Sequence, residues 1–371
     1  MIKTDETVHD YRSLLHKLAN TIVDIEHNVG SRFPLYRIAD DQLLSSPRCD
    51  WVTSSRGSWL AGFWVGSCWL AGYATDSESL ITCAQQRWQQ LKLGFENDSL
   101  FRAMNAWYGL GPAVRLQGDE QADELLQYCQ RQLEATYARW GGFPLGSTMG
   151  GGIAGKNRLC IDPCAALVAL GSHAGWQDLP LNHTHLIAHQ LINEFGDVYT
   201  YSDYQPASES SSQDQWFAVG EAGHWPRGQS WGALAMVSAA EFYPSDFLSL
   251  AERCCQRWWQ RYADQLPVMP PNDGSVVDQY DPSATLINAV SFFKLDQALG
   301  GNTEWWDRGL LLLHSVIDSR YFKDEDDRIY FMGCCYRISA SQTDNTEMAY
   351  GYFFLLQALM VASGTVKANH F

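Results

Sequence analysis

Three aspartates, Asp98, Asp162 and Asp281, each stand directly before an apolar run of helical spacing: SLFRAMNAWYGL, PCAALVALG and PSATLINAVSFFKL. A carboxylate at a helix start has two uses. It can cap, its oxygens accepting from the first free backbone N–H groups, and Pro163 and Pro282 at the first helical position favour that role. It can also do acid–base chemistry. Capping and the helix dipole lower a carboxyl pKa, which suits a base or an anion stabiliser. Two carboxylates held close act differently, because like charge raises one of them and yields an acid beside an ionised neighbour. Spacing alone leaves cap and catalyst both open for Asp98 and Asp162.

The run Trp225-Pro226-Arg227-Gly228-Gln229-Ser230-Trp231 is harder to explain as packing. Two Trp flank an Arg and a Gln at a helix start, which offers stacking faces, a planar cation for a carboxylate and an amide for hydroxyls. Two other motifs carry less. GGGIAGK, Gly150 to Lys156, has the glycines and lysine of a phosphate loop, but Asn157 replaces the magnesium-binding Ser or Thr and no apolar strand precedes it. It reads as a flexible loop near the site. His185 and His189, four apart and close to His183, lack the Glu of a zinc hydrolase and read as surface or packing residues, so no metal site is expected.

Helical spacing recurs from end to end, as in Tyr11-Leu14-Leu15-Leu18, and strand signals are sparse. Six polar or glycine-rich breaks are each followed at once by a small-apolar run. They fall at Gly57-Ser58, Asn97-Asp98, Asp162, Pro226-Arg227, Asp281 and Asp344-Asn345. Each interval holds two helices, the second more polar, as in the stretches from Asp119 to Tyr137 and from Asp246 to Asp264. The economical arrangement is a closed toroid of helical hairpins, with parallel inner helices whose starts share one mouth and more polar helices wrapped outside. With no Pro/Ser-rich linker, residues 1–371 read as a single domain. The segment from Tyr199 to His224 reads as a long loop over the mouth.

A net charge of −16 with only 26 Lys and Arg disfavours a nucleic-acid partner. No signal peptide or membrane-length apolar run is seen, so a cytoplasmic protein is expected. Ten scattered Cys without a CxxC read as reduced, mostly buried thiols. Fifteen Trp and seventeen Tyr supply ring faces of the kind that stack on sugars.

From Trp51 to Leu359 the chain resembles the unsaturated glucuronyl hydrolases, glycoside hydrolase family 88, related to family 105. The resemblance lies in WLAGFWVGSCWLAGY, GFENDSLFRAMNAWYGL, LCIDPCAALVAL, DPSATLINAV, YFFLLQAL and, most specifically, WPRGQSWGAL, which is close to the family's W-x-R-G-Q-x-W. It implies an (α/α)6 barrel that removes a 4-deoxy-C4=C5-unsaturated uronic acid from the non-reducing end of lyase-generated oligosaccharides. Asp162 would be the general acid and base with Asp98 as partner. Trp225, Arg227, Gln229, Trp231, Trp59, Trp64 and Asn97 would line the substrate site. No cofactor is implied, and a monomer or homodimer is expected. Asn97 stands where the family has His, Thr200 or Tyr201 falls in the region of a second family His, and Gln215 or Phe217 in that of a family Gln. Rhamnogalacturonan-directed hydrolases, sugar epimerases and non-catalytic sugar-binding barrels are the competing readings. An epimerase would need histidines facing the cavity.

Overall fold

The structure, a computed structural model, describes residues 9–38, 51–176, 178–207, 213–266, 281–334 and 346–371. Its helices form two concentric layers, and the reason is written in their faces. α2 (Ala61–Thr75), α4 (Arg102–Gln117), α6 (Cys164–His173), α8 (Pro226–Phe242), α10 (Pro282–Ala298) and α12 (Ala349–Ala362) are buried over nearly all their surface. A helix apolar all round must lie inside. The alternate helices bury one stripe each: α1 (Tyr11–Val29), α3 (Glu78–Gly94), α5 (Glu120–Glu134), α7 (Asp178–Leu191), α9 (Pro244–Tyr262) and α11 (Glu304–Ile317). In α5 that stripe is Ala122, Leu125, Leu126, Cys129 and Leu133.

The inner helices pack in the cyclic order α2, α4, α6, α8, α10, α12 and back to α2, and α1 closes the outer layer against both α12 and α2. This is the closed toroid expected from the six helix starts, and the (α/α)6 barrel that the family resemblance implies. Links from an inner helix to the next outer one are short, Asp76 and Ser77 alone between α2 and α3. The strands lie in links from an outer helix to the next inner one, as β1 and β2 do between α1 and α2. Every inner helix begins at the same end, and the strands collect there. Two approaches fix the inner ring. A Cβ on Gly62 would lie 2.4 Å from the Asn105 Cα, and one on Gly66 2.1 Å from the Tyr108 carbonyl oxygen, so α2 and α4 touch backbone to backbone. Asn105 uses that closeness: its Oδ1 accepts from the Gly62 N–H at 3.0 Å and its Nδ2 donates to the Ser58 carbonyl at 2.9 Å, fastening the start of α2.

Around the mouth run three small antiparallel sheets. β1 (Phe33–Ile38) lies between β2 (Val52–Ser54) and β8 (Thr346–Met348); β3 (Arg158–Cys160), β4 (Tyr201–Gln205) and β5 (Gln215–Val219) form the second; β6 (Phe322–Glu325) and β7 (Arg328–Phe331) the third. Within the segment from Tyr199 to His224, where a loop is expected, β4 and β5 pair antiparallel and extend β3, Tyr201 pairing with Val219 and Asp203 with Phe217. The glycine-rich stretch is compact, unlike the flexible loop expected. Gly151 and Gly155 pack onto the Gly146 carbonyl so closely that a Cβ on either would sit within 1.9 Å of its oxygen. Asp344 and Asn345 lie outside the described residues.

Among the described residues the cysteines are free, and all but Cys83 are buried. No helix there is long and apolar enough to cross a membrane. Gly66→Val should put two methyl groups where the backbone of α4 already stands, at a cost of about 2–3 kcal/mol. A fall in the urea midpoint at unchanged m-value checks this, and a neutral result would mean the two helices can separate freely.

Candidate active site

The mouth is built from the N-terminal ends of the inner helices and the strands between them. A ladder of backbone hydrogen bonds crosses its rim. Thr148 N–H donates to the Asp98 carbonyl at 3.0 Å, Leu100 to Leu145 at 2.9 Å, Leu145 to Arg158 at 2.9 Å, and Ile161 to Thr200 at 3.2 Å. Asp98 and Asp162 are thereby stitched into one frame with the β3–β4–β5 sheet.

Neither aspartate caps its helix. Asp98 lies four residues before α4, whose N-cap position is Phe101, and α6 begins after Pro163 with no side-chain cap bond. Their environments are opposite. Asp98 is exposed, and its carboxylate accepts from the Ser147 hydroxyl at 2.5 Å and the Ser147 N–H at 3.0 Å. Those bonds, aided by the charges of Arg102 and Lys156, hold its pKa below the ordinary value. Asp162 is half-buried, and its Oδ1 is sealed from solvent with no hydrogen-bond partner among the described residues. Burial pushes its pKa up to about 6, against the opposing pull of the Arg227 charge. Two carboxylates of one sequence type are therefore split into an ionised one and one poised to carry a proton near neutrality. The split comes from desolvation, in place of the mutual repulsion expected.

Arg227 enters at the start of α8 and is only 5% exposed. Its guanidinium pairs with Asp281 at the start of α10, lies 4.5 Å from the centre of the Trp225 ring and 5.1 Å from that of Tyr350 at the start of α12. Tyr350 in turn stacks on Trp59, ring centres 5.6 Å apart. Asp281 occupies the N-cap position of α10 but gives its oxygens to Arg227 and the Ser283 hydroxyl. Burial raises the Tyr108 phenol, and the neighbouring Cys160 together with burial raises that of Tyr201, the charge of Asp162 adding to both.

Several expected substrate contacts fall elsewhere. Trp64 is fully buried on the outward side of α2, where its indole N–H donates to Glu26 of α1 at 2.8 Å, so it offers nothing to a ligand. Gln229 has spent its amide: Oε1 accepts from the Val198 N–H at 2.9 Å and Nε2 donates to the Gly196 carbonyl at 2.8 Å. It holds the bend before β4. Trp231 is 1% exposed, packed on Phe63 and Phe354 in the barrel floor. Asn97 turns its amide back to the Gly94 carbonyl at 3.0 Å. Trp59 and Trp225 remain partly open at the rim. Ser147, Tyr108 and Tyr350 were not foreseen: Ser147 sits in a loop with no motif, and the two tyrosines lie inside runs that read as core.

His183, His185 and His189 sit on the outer helix α7. His183 is buried, accepts from the Phe143 N–H at 3.1 Å, and has its pKa driven down to about 3 by burial. His185 meets Asp246 of α9 at 3.2 Å. Among the described residues no group of His, Cys, Asp or Glu could hold a metal ion. A cleft of about 1040 Å³ between Arg12, Asp76, Gln117 and Thr365 lies at the end of the barrel opposite these carboxylates.

No protein-family model and no curated protein matches the sequence. Solved structures do match the fold. The unsaturated glucuronyl hydrolase of Bacillus sp. GL1 superposes with a TM-score of 0.80 at 17% identity, covering 96% of this chain and 98% of that one. The enzyme of the same name from Streptococcus agalactiae gives 0.73 at 16%, covering 96% of both chains. A glycoside hydrolase of family 105 from C. acetobutylicum gives 0.63 at 11%, covering 83% of this chain and 94% of that one. The barrel is that of the unsaturated glucuronyl hydrolases. At such identities the likeness is one of architecture, and the chemistry rests on the side chains above.

The two carboxyls should titrate apart. Carboxyl-carbon NMR is expected to place Asp162 near pH 6 and Asp98 below the ordinary Asp range, with Ser147→Ala moving Asp98 upward and leaving Asp162 in place. Coincident titrations would remove the distinction between them.

Proposed function

We propose that the chain is an unsaturated uronyl hydrolase that acts on the 4-deoxy-C4=C5-unsaturated uronic acid at the non-reducing end of lyase-generated oligosaccharides. The observation that carries this is Asp162, a carboxyl whose pKa burial raises to about 6 at the mouth of a barrel shared with enzymes of that name. An enol ether is electron-rich, and one well-placed proton starts its hydration. Asp162 gives its proton to C4 while the C4=C5 pair forms the new C4–H bond, leaving an oxocarbenium ion across C5 and the ring oxygen. Water adds to C5 and returns a proton to the Asp162 carboxylate. The hemiketal so formed opens at its C5–O5 bond to a C5 ketone, and the freed C1 hemiacetal expels the neighbouring sugar as an alcohol. C1 is never attacked, so carboxylate spacing does not set the outcome as in ordinary glycosidases.

Asp98, ionised and exposed, stabilises the cationic intermediate and orients the attacking water. Arg227 is already paired with Asp281, and its charge keeps the pKa of Asp162 from drifting higher. Trp225 and Trp59 border the bound ring. The inner-helix N-termini converging on the mouth favour the substrate's carboxylate. An epimerase reading needs histidines in the cavity, and those of α7 lie in the outer layer.

Incubation with a panel of unsaturated disaccharides should abolish the ultraviolet absorbance of the double bond; its persistence with every member would sink the proposal. Asp162 must be protonated to act, so kcat/KM should fall as pH rises through about 6. Asp162→Asn should lower kcat by about 10²–10⁴-fold. The same variant should unfold no earlier than wild type at pH 8, where the native Asp162 is ionised at a cost from burial.

A further inference from the structure

Arg102 opens α4, four residues after Asp98, and is only 4% exposed. A guanidinium so deeply buried is costly unless something answers its charge, and the usual answer is a carboxylate. Among the described residues none pairs with Arg102, whose Nη1 donates instead to the Phe95 carbonyl at 3.2 Å and the Asn97 carbonyl at 2.9 Å, and whose Nη2 donates to the Thr136 hydroxyl at 3.1 Å. Phe95 is the C-cap of α3, and Thr136 stands two residues past Glu134, the last of α5. The cation therefore lies where two helices end, and the negative ends of their dipoles hold it together with three oxygens.

Two of those oxygens belong to the turn that presents Asp98. The Asn97 carbonyl also accepts from the Ser99 N–H at 2.9 Å, on the far side of the aspartate, and the Asn97 N–H closes back on the Gly94 carbonyl at 3.2 Å. From the rim, the N–H and the hydroxyl of Thr148 both donate to the Asp98 carbonyl at 3.0 Å. The backbone of Asp98 is thus gripped from two sides, by Thr148 in the rim loop and by Arg102 from the body of the barrel.

We propose that Arg102 is the positioning residue for Asp98: its planar fork fixes the turn that aims the carboxylate, and it brings to that turn a cation that no acid cancels. The inference rests on the hydrolase reading above, in which Asp98 stabilises the oxocarbenium ion and orients water, and adds the residue that keeps it at that task. Asp98 owes its low pKa first to the bonds from Ser147, and the charges of Arg102 and Lys156 act in the same direction. Lys156 is exposed, where water and salt screen it, whereas Arg102 is sealed in and keeps its field.

The test compares Arg102→Gln, Arg102→Lys and Thr136→Val in the whole chain, each first checked for cooperative unfolding in urea. Arg102→Gln loses both the fork and the charge. It should lower kcat on an unsaturated uronyl disaccharide by roughly ten- to hundredfold with KM nearly unchanged, the cost of a slightly misplaced group. Carboxyl-carbon NMR without substrate should show Asp98 titrating higher than in wild type, with Asp162 in place. Arg102→Lys keeps the charge, so it should return the Asp98 titration toward wild type and recover part of kcat. Should Arg102→Gln not fold, Thr136→Val carries the test: it removes one anchor of the fork, and kcat should fall by roughly two- to fivefold with KM unmoved. An unmoved kcat in folded Arg102→Gln, or in Thr136→Val where that variant does not fold, overturns the positioning role and leaves the hydrolase reading intact. So does an Asp98 titration that Arg102→Gln leaves unchanged. Inactivity of wild type on every unsaturated disaccharide overturns the hydrolase reading, and the Asp98 titration then decides the role of Arg102 by itself.

Discussion

The buried pair of Arg227 and Asp281 is the constraint on which the mouth depends. A guanidinium at 5% exposure is held only if a carboxylate answers it, and removal of either partner strands a charge in a dry place. The pair does three things at once. It ties the start of α8 to the start of α10, it seats a flat cation between Trp225 and Tyr350 and so reaches α12, and it sets the field in which Asp162 titrates. Half of the inner ring is registered at the mouth through this one contact. Asn105 does the corresponding work between α2 and α4 with neutral hydrogen bonds, which suits a place where no charge need be tuned.

Asp162 illustrates why such tuning is needed. A carboxyl left in water would be ionised at neutral pH and useless as an acid. Burial alone would push it further from ionisation and make it reluctant to give its proton. The arrangement here combines the two, with a sealed Oδ1 and a nearby cation, and leaves the group near the middle of the useful range. Asp98 shows the reverse solution. Exposure and two bonds from Ser147 keep it ionised, so the same side chain serves a different end a short way along the rim.

The barrel was legible in the sequence because helical period and small-apolar content repeat six times, and α8 and α10 begin at the prolines where they were expected. The mouth was less so. Asp162 and Asp98 could be singled out, but which one would be buried depends on neighbours far along the chain. Gln229 and Trp231 belong to the most specific motif, yet face backbone and core, because a motif preserves whatever the helix start needs, scaffolding included. Trp64 shares a GFW run with residues of the mouth and still points outward, since the helix turns about 100° per residue. The pairing of β4 with β5 was hidden because its alternation is short and interrupted by polar residues, and Ser147 had no local signal at all.

The first helix, α1, and the last, α12, meet to close the ring. A chain leaving the ribosome must therefore make the whole of its inner layer before the circle can shut, and the contacts that shut it join residues separated by nearly the full sequence. Until then, helices such as α2 and α10, apolar on every side, have only one inner neighbour in place and bare flanks on the other. Closure of this kind is slow and all-or-none, and the open arc is the form most prone to self-association. The architecture that brings six helix starts to one mouth thus makes the protein most vulnerable in the interval between synthesis of α11 and arrival of α12.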